Sequence, residues 1–400
     1  QPNYSRNVFA GLPYAYSHVT EFLDNSESTF VASEFNVVGN GFGGIVYGEK
    51  YPWVDPMSPE LENSAWDHGK ELIRYTGGKA DDKYYIDQEK RWNYTAVTNT
   101  FYNYTASLMK EVFVNTTNIK EFIGDYQVMV YGIYSNWVKL DNVIAYSYPR
   151  LGASYSTIST KTAYRYNETD KQLEEEETAN SSGEILLTQT FRPVKMVALG
   201  RDPQGIYQGM INNHLLEPVV EVINKRNGNQ TNLMRTNYYQ PFAGLYVPVT
   251  IQTQQAISAP VITQLKYLRY DDQGNVLSLS RDNGPAVNYI WAYKGQYPIA
   301  KIDNCDYATL EATLGAANIA GYRGLNPTAV QIDGLLAPLK TAVAKAFVTQ
   351  YTYLPMVGLT RVKDVNGQIT SYEYDDFQRL RLVKDHDGNI LKSYQYHYAN

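Results

Sequence analysis

The chain has 400 residues, a formal net charge of −6, and 37 tyrosines against 12 phenylalanines and 5 tryptophans. This length is ample for a large core, and tyrosine is a strong strand former whose ring and hydroxyl suit half-buried sheet faces. The mildly acidic charge and the lack of a basic stripe argue against nucleic-acid binding. The single cysteine, Cys305, excludes an internal disulfide framework and a cysteine-rich metal site.

Residues 1–149 form a Tyr/Asn-rich region whose alternating runs, such as 127–134, predict β-strands. No stretch of the chain approaches the roughly eighteen apolar residues of a transmembrane helix. The chain opens on Gln1 and Pro2 without a signal peptide, so we expect a mature or processed segment of a longer precursor.

Two features of this first region have a chemical interpretation as well as a structural one. The glycine-rich segment 39–44 superficially resembles a phosphate-binding loop, but no helix pattern follows it, so we predict a turn. Trp53, Trp66 and Trp92 have tyrosine and aspartate neighbours, and they are either core and rim aromatics or a platform on which a sugar stacks.

Region 150–303 contains two copies of a strand-turn-strand unit. Tyrosines at period 2 lead to Tyr166 in the first copy and to Tyr270 in the second, where Asp271 and Gly274 follow. Asn, Asp and Gly tolerate or cap unusual backbone angles, so each of these segments predicts a hairpin turn. The four carboxylates of 174–177 alternate along a strand or solvated loop, which predicts a solvated edge instead of a cation site.

Residues 304–349 break the strand pattern and predict a helical insertion. Asp306 is a suitable cap for a helix near 306–316, and Asp333 for a second helix near 335–347. Because Pro338 lies too deep for the first turn after Asp333, the second helix is also compatible with a start near Leu336. Its apolar residues recur at helical spacing: Leu335, Leu336, Leu339, Val343 and Phe347.

Region 350–400 returns to strands and carries the clearest repeat unit. Tyr372 and Tyr374 share one face of a strand, and Asp375 begins the turn that leads to Arg379. A second turn around Gly388 precedes another tyrosine-rich run, which completes a three-stranded meander. We expect Tyr374, Tyr394 and Tyr396 to pack along one sheet face and Asp375 to bind backbone amides of its turn.

These units resemble the YD repeats of the bacterial RHS family, whose pattern runs roughly Tyr-x-Tyr-Asp-x-x-Gly-Arg-Leu before a second turn and a tyrosine-rich strand. Two positions depart from the pattern, because Gln378 replaces the glycine in the last copy and Asn275 replaces the arginine in the second. Segments 289–300 and 351–359 are similar to large secreted RHS proteins of Gram-negative gliding and gut-dwelling bacteria. The repeat-defining positions are Tyr166, Tyr270, Asp271, Gly274, Tyr372, Tyr374, Asp375, Arg379 and Gly388.

The resemblance covers 150–400 and is only compositional over 1–149. It implies an all-β fold in which consecutive antiparallel hairpins form a curved, wound RHS-type sheet, interrupted by two short helices. It also implies a secreted or cell-surface structural module, a β-sheet wall that carries, encloses or displays a downstream domain or serves in outer-membrane assembly, with other protein segments as partners. The alternative is an adhesin-like surface protein that binds a glycan or a protein.

The sequence offers no catalytic constellation, so an enzyme is the third interpretation. The histidines are scattered without metal-binding spacing, no nucleophile-elbow motif is present, and we expect no cofactor or metal. Some RHS relatives cleave themselves at an Asp-Pro-x-Gly motif, but the string 202–205 lacks the following Gly-Gly and predicts a turn. The five histidines are His18, His68, His214, His386 and His397.

Overall fold

A computed structural model describes residues 16–24, 28–36, 69–97, 103–110, 126–133, 137–151, 154–282 and 284–396. Several sequence predictions lie outside the described residues, namely those for 39–44, Trp53, Trp66, His68 and His397.

The described part of the chain is built mainly from strands. The first twelve are β1 (His18–Phe22), β2 (Thr29–Phe35), β3 (Glu71–Ala80), β4 (Lys83–Val97), β5 (Asn103–Lys110), β6 (Tyr126–Ile133), β7 (Trp137–Ser147), β8 (Arg150–Leu151), β9 (Ser154–Tyr155), β10 (Ile158–Tyr166), β11 (Leu173–Ala179) and β12 (Ile185–Phe191). The next twelve are β13 (Glu221–Arg226), β14 (Asn229–Phe242), β15 (Leu245–Gln254), β16 (Ile262–Tyr270), β17 (Val276–Ser280), β18 (Ala286–Ala292), β19 (Tyr297–Asp303), β20 (Phe347–Leu354), β21 (Gly358–Lys363), β22 (Ile369–Tyr374), β23 (Leu380–Lys384) and β24 (Ile390–Ser393).

Five short helices accompany these strands in the described residues. They are α1 (Pro193–Ala198), α2 (Ile206–Asn212), α3 (Tyr307–Leu314), α4 (Ala316–Tyr322) and α5 (Ala329–Ala342).

Twenty of the described strands belong to one sheet, and the pairings between them are antiparallel. One run of neighbours follows the order β1-β2-β3-β4-β7-β10-β11. From β14 to β24, each strand pairs with the next along the chain. The predicted all-β class with consecutive antiparallel hairpins is therefore confirmed.

The chain divides into two compact units. The first comprises 1–167, 171–188 and 226–228, and among its described residues the only buried hydrophobic side chain is Val143. Apart from Gly78 and Glu89, the other residues of this unit whose burial is described are half-buried or exposed, as expected of faces covered by tyrosines that keep a polar end in water. The second unit, 168–170, 189–225 and 229–400, contains two distinct hydrophobic clusters.

The larger cluster of the second unit lies where α3 and α5 cover β18, β19 and β20. Ile290 and Ile302 from the strands and Leu310, Leu336 and Leu339 from the helices are fully buried. The two α5 leucines are three residues apart and therefore share one face of the helix. The insertion thus covers one patch of sheet with an apolar layer.

The predicted helix near 335–347 is wrong in its boundaries. Thr328 begins α5 through a capping box with Gln331, a stronger start than Asp333, and the helix runs through Pro338 to Ala342. Asp333 lies inside the helix, where it accepts a hydrogen bond of 2.8 Å from Lys363 Nζ. Four residues, 343–346, form a turn between the helix and Phe347, which opens β20 and is 55% exposed.

The prediction of only two helices is also wrong. Helix α4 follows α3 directly after Gly315, whereas α1 and α2 lie in a region predicted to be strands. With six and seven residues, α1 and α2 are too short to display a helical period. They are stabilised by burial of Met196 and Met210 against β12 and β13, contacts that no local pattern announces.

We expect Leu336→Ala to lower the free energy of unfolding by about 2–5 kcal/mol, because the side chain is fully buried beneath the sheet and its truncation leaves a cavity. Val330→Ala on the same helix is the matched control, since Val330 is 80% exposed and its truncation is expected to change stability by less than about 0.5 kcal/mol. Urea denaturation of both variants measures the difference, and equal effects would contradict the packing of α5 on the sheet.

Candidate functional site

The repeat-defining aspartates open a five-residue loop that recurs with one geometry. In each copy, one side-chain oxygen of the first residue accepts the backbone N–H groups two and four positions later. At Asp375 these bonds, from Phe377 and Arg379, both measure 2.9 Å. The loops of this kind are 180–184, 271–275, 364–368, 375–379 and 385–389.

Two backbone hydrogen bonds close the same loop. The N–H of Asp375 donates to the carbonyl of Arg379 at 2.9 Å, and the N–H of Gln378 donates to the carbonyl of Asp375 at 2.8 Å. The four other loops repeat both bonds. The first repeat copy has one residue more, since Asn167 N–H donates to Gln172 O, yet it closes in a similar way. The side chain and backbone together fix the turn and, through it, the register of the hairpin.

The fourth loop position adopts a left-handed backbone in all five loops, which explains the glycine of the repeat pattern. Glycine adopts this conformation without the clash that a Cβ causes. In the last copy Gln378 adopts it as well, with φ +63°, so the departure from the repeat pattern keeps the conformation and adds strain. The glycines are Gly183, Gly274, Gly367 and Gly388, with φ between +79° and +87°.

In three of the loops, the side chain at the fifth position donates a hydrogen bond to the second carboxylate oxygen of the aspartate. Arg379 Nε donates to Asp375 Oδ2 at 2.9 Å, and its guanidinium carbon lies 4.4 Å from the centre of the Tyr396 ring. Asn275 stands in the corresponding position of the second copy and donates to Asp271 Oδ2 at 3.0 Å. The substitution of arginine by asparagine therefore keeps the hydrogen bond to the aspartate.

Four tyrosine hydroxyls join neighbouring segments of the sheet. Each hydroxyl donates to a backbone carbonyl of an adjacent strand. The pairs are Tyr166 with Leu140 (3.2 Å), Tyr270 with Pro248 (2.8 Å), Tyr374 with Leu359 (2.9 Å) and Tyr396 with Leu380 (2.8 Å).

The accepting carbonyl always lies two residues beyond the last ladder pair. The pairing of β21 with β22 ends at Arg361 and Ser371, and the acceptor is Leu359. The same offset holds for the ladders that end at Asn142, Thr250 and Leu382. The hydroxyl thus supplies a donor where the strands separate and the ladder no longer does. Burial raises the pKa of Tyr270 and Tyr374, so both remain protonated donors.

Segment 289–300 forms the hairpin of β18 and β19, and the backbone at its tip accounts for the residues found there. Tyr293, Lys294 and Gly295 are all left-handed, although Tyr293 is buried. A side chain at Gly295 would collide with Gln273, and the Gly295 carbonyl accepts a 3.0 Å bond from Asn275. The tip therefore anchors the loop 271–275.

The remaining sequence candidates do not assemble into a reactive group in the described residues. Cys305 is buried, and burial raises the pKa of its thiol. Segment 202–205 is a turn, closed by the N–H of Gly205 donating to the carbonyl of Asp202 at 3.2 Å. Both carboxylate oxygens of Asp202 accept backbone N–H groups of Tyr207 and Gln208 at the start of α2. Glu175 pairs with Arg165 on the adjacent strand at 2.7 Å. Trp92 lies beneath two cations, with Lys90 Nζ 5.0 Å from its ring centre.

Two further observations apply to the described part of the chain. No three His, Cys, Asp or Glu side chains converge in a way that would hold a metal ion. No described helix combines the length and apolar character needed to cross a bilayer.

Sequence reasoning missed a cavity of about 730 Å³ in the second unit. Its wall includes Arg201 and Arg235, which both bind the buried carboxylate of Glu221. These residues come from a loop and two strands and follow no motif, so the sequence carries no signal for them.

We expect Gln378→Gly to raise the free energy of unfolding by about 0.5–1 kcal/mol, because glycine removes the left-handed strain. Gly388→Ala is the matched opposite change, because its new Cβ meets open space and only the backbone conformation is penalised. It should lower stability by about 1 kcal/mol. Chemical denaturation measures both. Equal signs for the two variants would contradict the shared loop geometry.

We expect stability to fall as the pH drops below about 4. The backbone N–H of Arg379 and its guanidinium hold the pKa of Asp375 below its usual range, so the stabilisation is complete above the unfolded pKa and is lost as the pH falls through the folded one. Asp375→Asn retains the loop acceptor, as Asn180 does, and should show a shallower acid loss of Tm. Asp376→Asn is the control, and an identical acid profile for both variants would contradict the assignment.

No family model matches the sequence, and no curated protein matches it either. Among solved structures, the chain is similar to crystal structures of TcdB2-TccC3-TEV (9% identity, TM-score 0.48) and TcdB2-TccC3 (7%, 0.25), with 93% and 98% of this chain covered. It is also similar to the Photorhabdus luminescens Tc holotoxin pore (7% identity, TM-score 0.24, 91% covered). The chain spans only 20–22% of those chains. At these identities and TM-scores the similarities assign neither a family nor a function.

Proposed function

We propose that this chain is a non-enzymatic, secreted or cell-surface structural module of RHS type. Its hairpins form a wall that carries, encloses or displays a downstream segment or serves in outer-membrane assembly, and its partners are other protein segments. The observation that supports this proposal is that the repeat-defining polar groups bond within the sheet itself.

The bonding of one repeat illustrates the point. One oxygen of Asp375 accepts two backbone N–H groups and the other binds Arg379, so the carboxylate is fully engaged in its own turn. The hydroxyl of Tyr374 donates to the neighbouring strand. Catalysis and ligand binding need polar groups directed at a substrate, whereas these groups stabilise hairpins. A long sheet of consecutive hairpins needs such hairpin-closing residues at each turn, and the repeats supply them.

The alternative, an adhesin-like surface protein, is favoured by one specific observation. Ile390, Leu391, Tyr394 and Tyr396 on and just after β24 are 39–58% exposed, although Tyr394 and Tyr396 were expected to pack along a sheet face. Exposed apolar and aromatic side chains are typical of binding surfaces. In this alternative the tyrosines after β24 contact a protein or glycan directly.

Two tyrosine variants of the native secreted protein distinguish the proposals. Tyr374→Phe removes the hydroxyl bond to Leu359 and should lower the free energy of unfolding by about 1 kcal/mol. If the repeats are scaffold, this variant retains whatever partner the wild type retains from outer-membrane extract. Tyr394→Ala, at a 39% exposed position, should behave like the wild type in the same capture assay.

Thermal melts of both variants measure their stability. A quantitative pull-down from outer-membrane extract measures how much partner each variant retains relative to the wild type. A Tyr394→Ala protein that melts normally but loses a partner would overturn the scaffold proposal and support the surface-binding alternative. Substrate turnover that a single His or Asp substitution abolishes would overturn the non-enzymatic part.

A further inference from the structure

The cavity of the second unit has a solvent-accessible mouth and a buried floor. Gly200, Arg201 and Gln204 are exposed at the mouth, whereas Met196 and Tyr207 are buried on the inner side. Its volume of about 730 Å³ is within the range of small-molecule sites. Helices α1 and α2, the loop between them, and strands β14 and β15 supply the lining, so the space belongs entirely to one compact unit.

A buried carboxylate beside the cavity holds two arginines. Glu221 is 1% exposed and accepts hydrogen bonds of 3.1 Å from Arg201 Nη1 and 2.6 Å from Arg235 Nε. One carboxylate neutralises only one of the two guanidinium charges. Arg235 Nη1 and the Nε and Nη2 atoms of Arg201 have no hydrogen-bond partner among the described residues. Within this cluster the two guanidiniums carry one charge more than Glu221, and each keeps N–H donors that are not bonded to the protein.

The other polar groups of the wall do not cancel this surplus by direct contact. Asp202 directs its two oxygens to the backbone N–H groups of Tyr207 and Gln208, at 3.1 and 2.8 Å. It forms no ion pair with either arginine among the described contacts. Burial raises the pKa of Tyr207 to about 12, so its hydroxyl is a neutral donor or acceptor. Tyr238 and Tyr239 add aromatic surface to the same wall.

We propose that this cavity binds a small molecule that carries a carboxylate on a six-membered ring. The carboxylate would accept hydrogen bonds from the Arg201 and Arg235 guanidiniums, whose planar fork matches its geometry. The ring would lie against the tyrosines. Asp202 brings the formal charge of the two arginines and two carboxylates to zero, so the preference rests on hydrogen bonding. A small anion is favoured over a neutral ligand because the nitrogens left over on the arginines are charged donors, whereas the oxygens of Asp202 are engaged by backbone N–H groups. This site is independent of the structural role proposed for the repeats.

Four probes at constant ionic strength test the ligand chemistry: benzoate, benzyl alcohol, glucuronate and glucose. Ligands of this size are expected to bind in about the millimolar range. Binding is measured by chemical-shift titration or calorimetry on the whole chain. We expect at least one carboxylate to bind and its neutral counterpart to bind at least about tenfold more weakly, as loss of a charge-assisted bond implies. A preference for benzoate or for glucuronate identifies an aromatic or a sugar carboxylate.

Arg201→Gln removes one guanidinium and leaves Glu221 bonded to Arg235. It should weaken carboxylate binding about 10- to 100-fold, and Arg201→Lys, which keeps the charge without the fork, should lie between it and wild type. Arg226→Gln is the matched control, because Arg226 is exposed on β13 and pairs with Glu184 outside the cavity lining.

Thermal melts of all variants establish that they are folded before binding is compared. Equal binding of a carboxylate and its neutral counterpart, or no binding by any probe, would overturn the proposal and leave Glu221 and its arginines as a purely structural ion cluster. The same holds if Arg201→Gln and Arg226→Gln weaken binding equally.

Discussion

The sheet depends on one local interaction, the side-chain oxygen of Asp or Asn that accepts the N–H groups two and four positions later in a five-residue loop. At Asp271, Asp375 and Asp385 this oxygen accepts two backbone N–H groups at the hairpin tip that have no partner in the strand ladder. Because the side-chain period of a strand is two, a loop of fixed length also fixes which residues face each side. Repeating the loop therefore repeats a register.

The tyrosine hydroxyls stabilise the same sheet where paired strands diverge. Where two paired strands diverge, the carbonyl two residues beyond the last ladder pair has no donor from the partner strand. A hydroxyl such as that of Tyr374 or Tyr270 donates to it instead. Tyrosine suits this position because its ring covers the half-buried sheet while its hydroxyl reaches the neighbouring backbone. Among the described residues, the two larger apolar clusters lie where helices pack on strands, as α5 does with Leu336 and Leu339.

The loops and the cavity differ in how their polar groups are used. At Asp271, Asp375 and Asp385 both carboxylate oxygens are bonded within the loop itself, which is why these groups are assigned to stability. Beside the cavity the donors outnumber the acceptors, since Glu221 engages only some of the nitrogens of Arg201 and Arg235. A buried carboxylate with two arginines is costly to dehydrate, and its placement beside an open space is what separates it from an ordinary surface ion pair. The same physical test, counting unused donors, leads to opposite assignments for the two regions.

The sequence by itself determined the hairpins and their loops, because an Asp or Asn at the first position and a Gly at the fourth act within five residues. It also determined the all-β class, since period-2 tyrosine runs are local. The tertiary structure decided the rest. Helices α1 and α2 exist because Met196 and Met210 are buried against strands, and the Arg201–Glu221–Arg235 cluster joins separate elements. These contacts join residues from different elements, so no local spacing records them. The start of α5 is different, because the Thr328–Gln331 capping box is a local signal that the sequence does contain, and the prediction of a cap at Asp333 overlooks it.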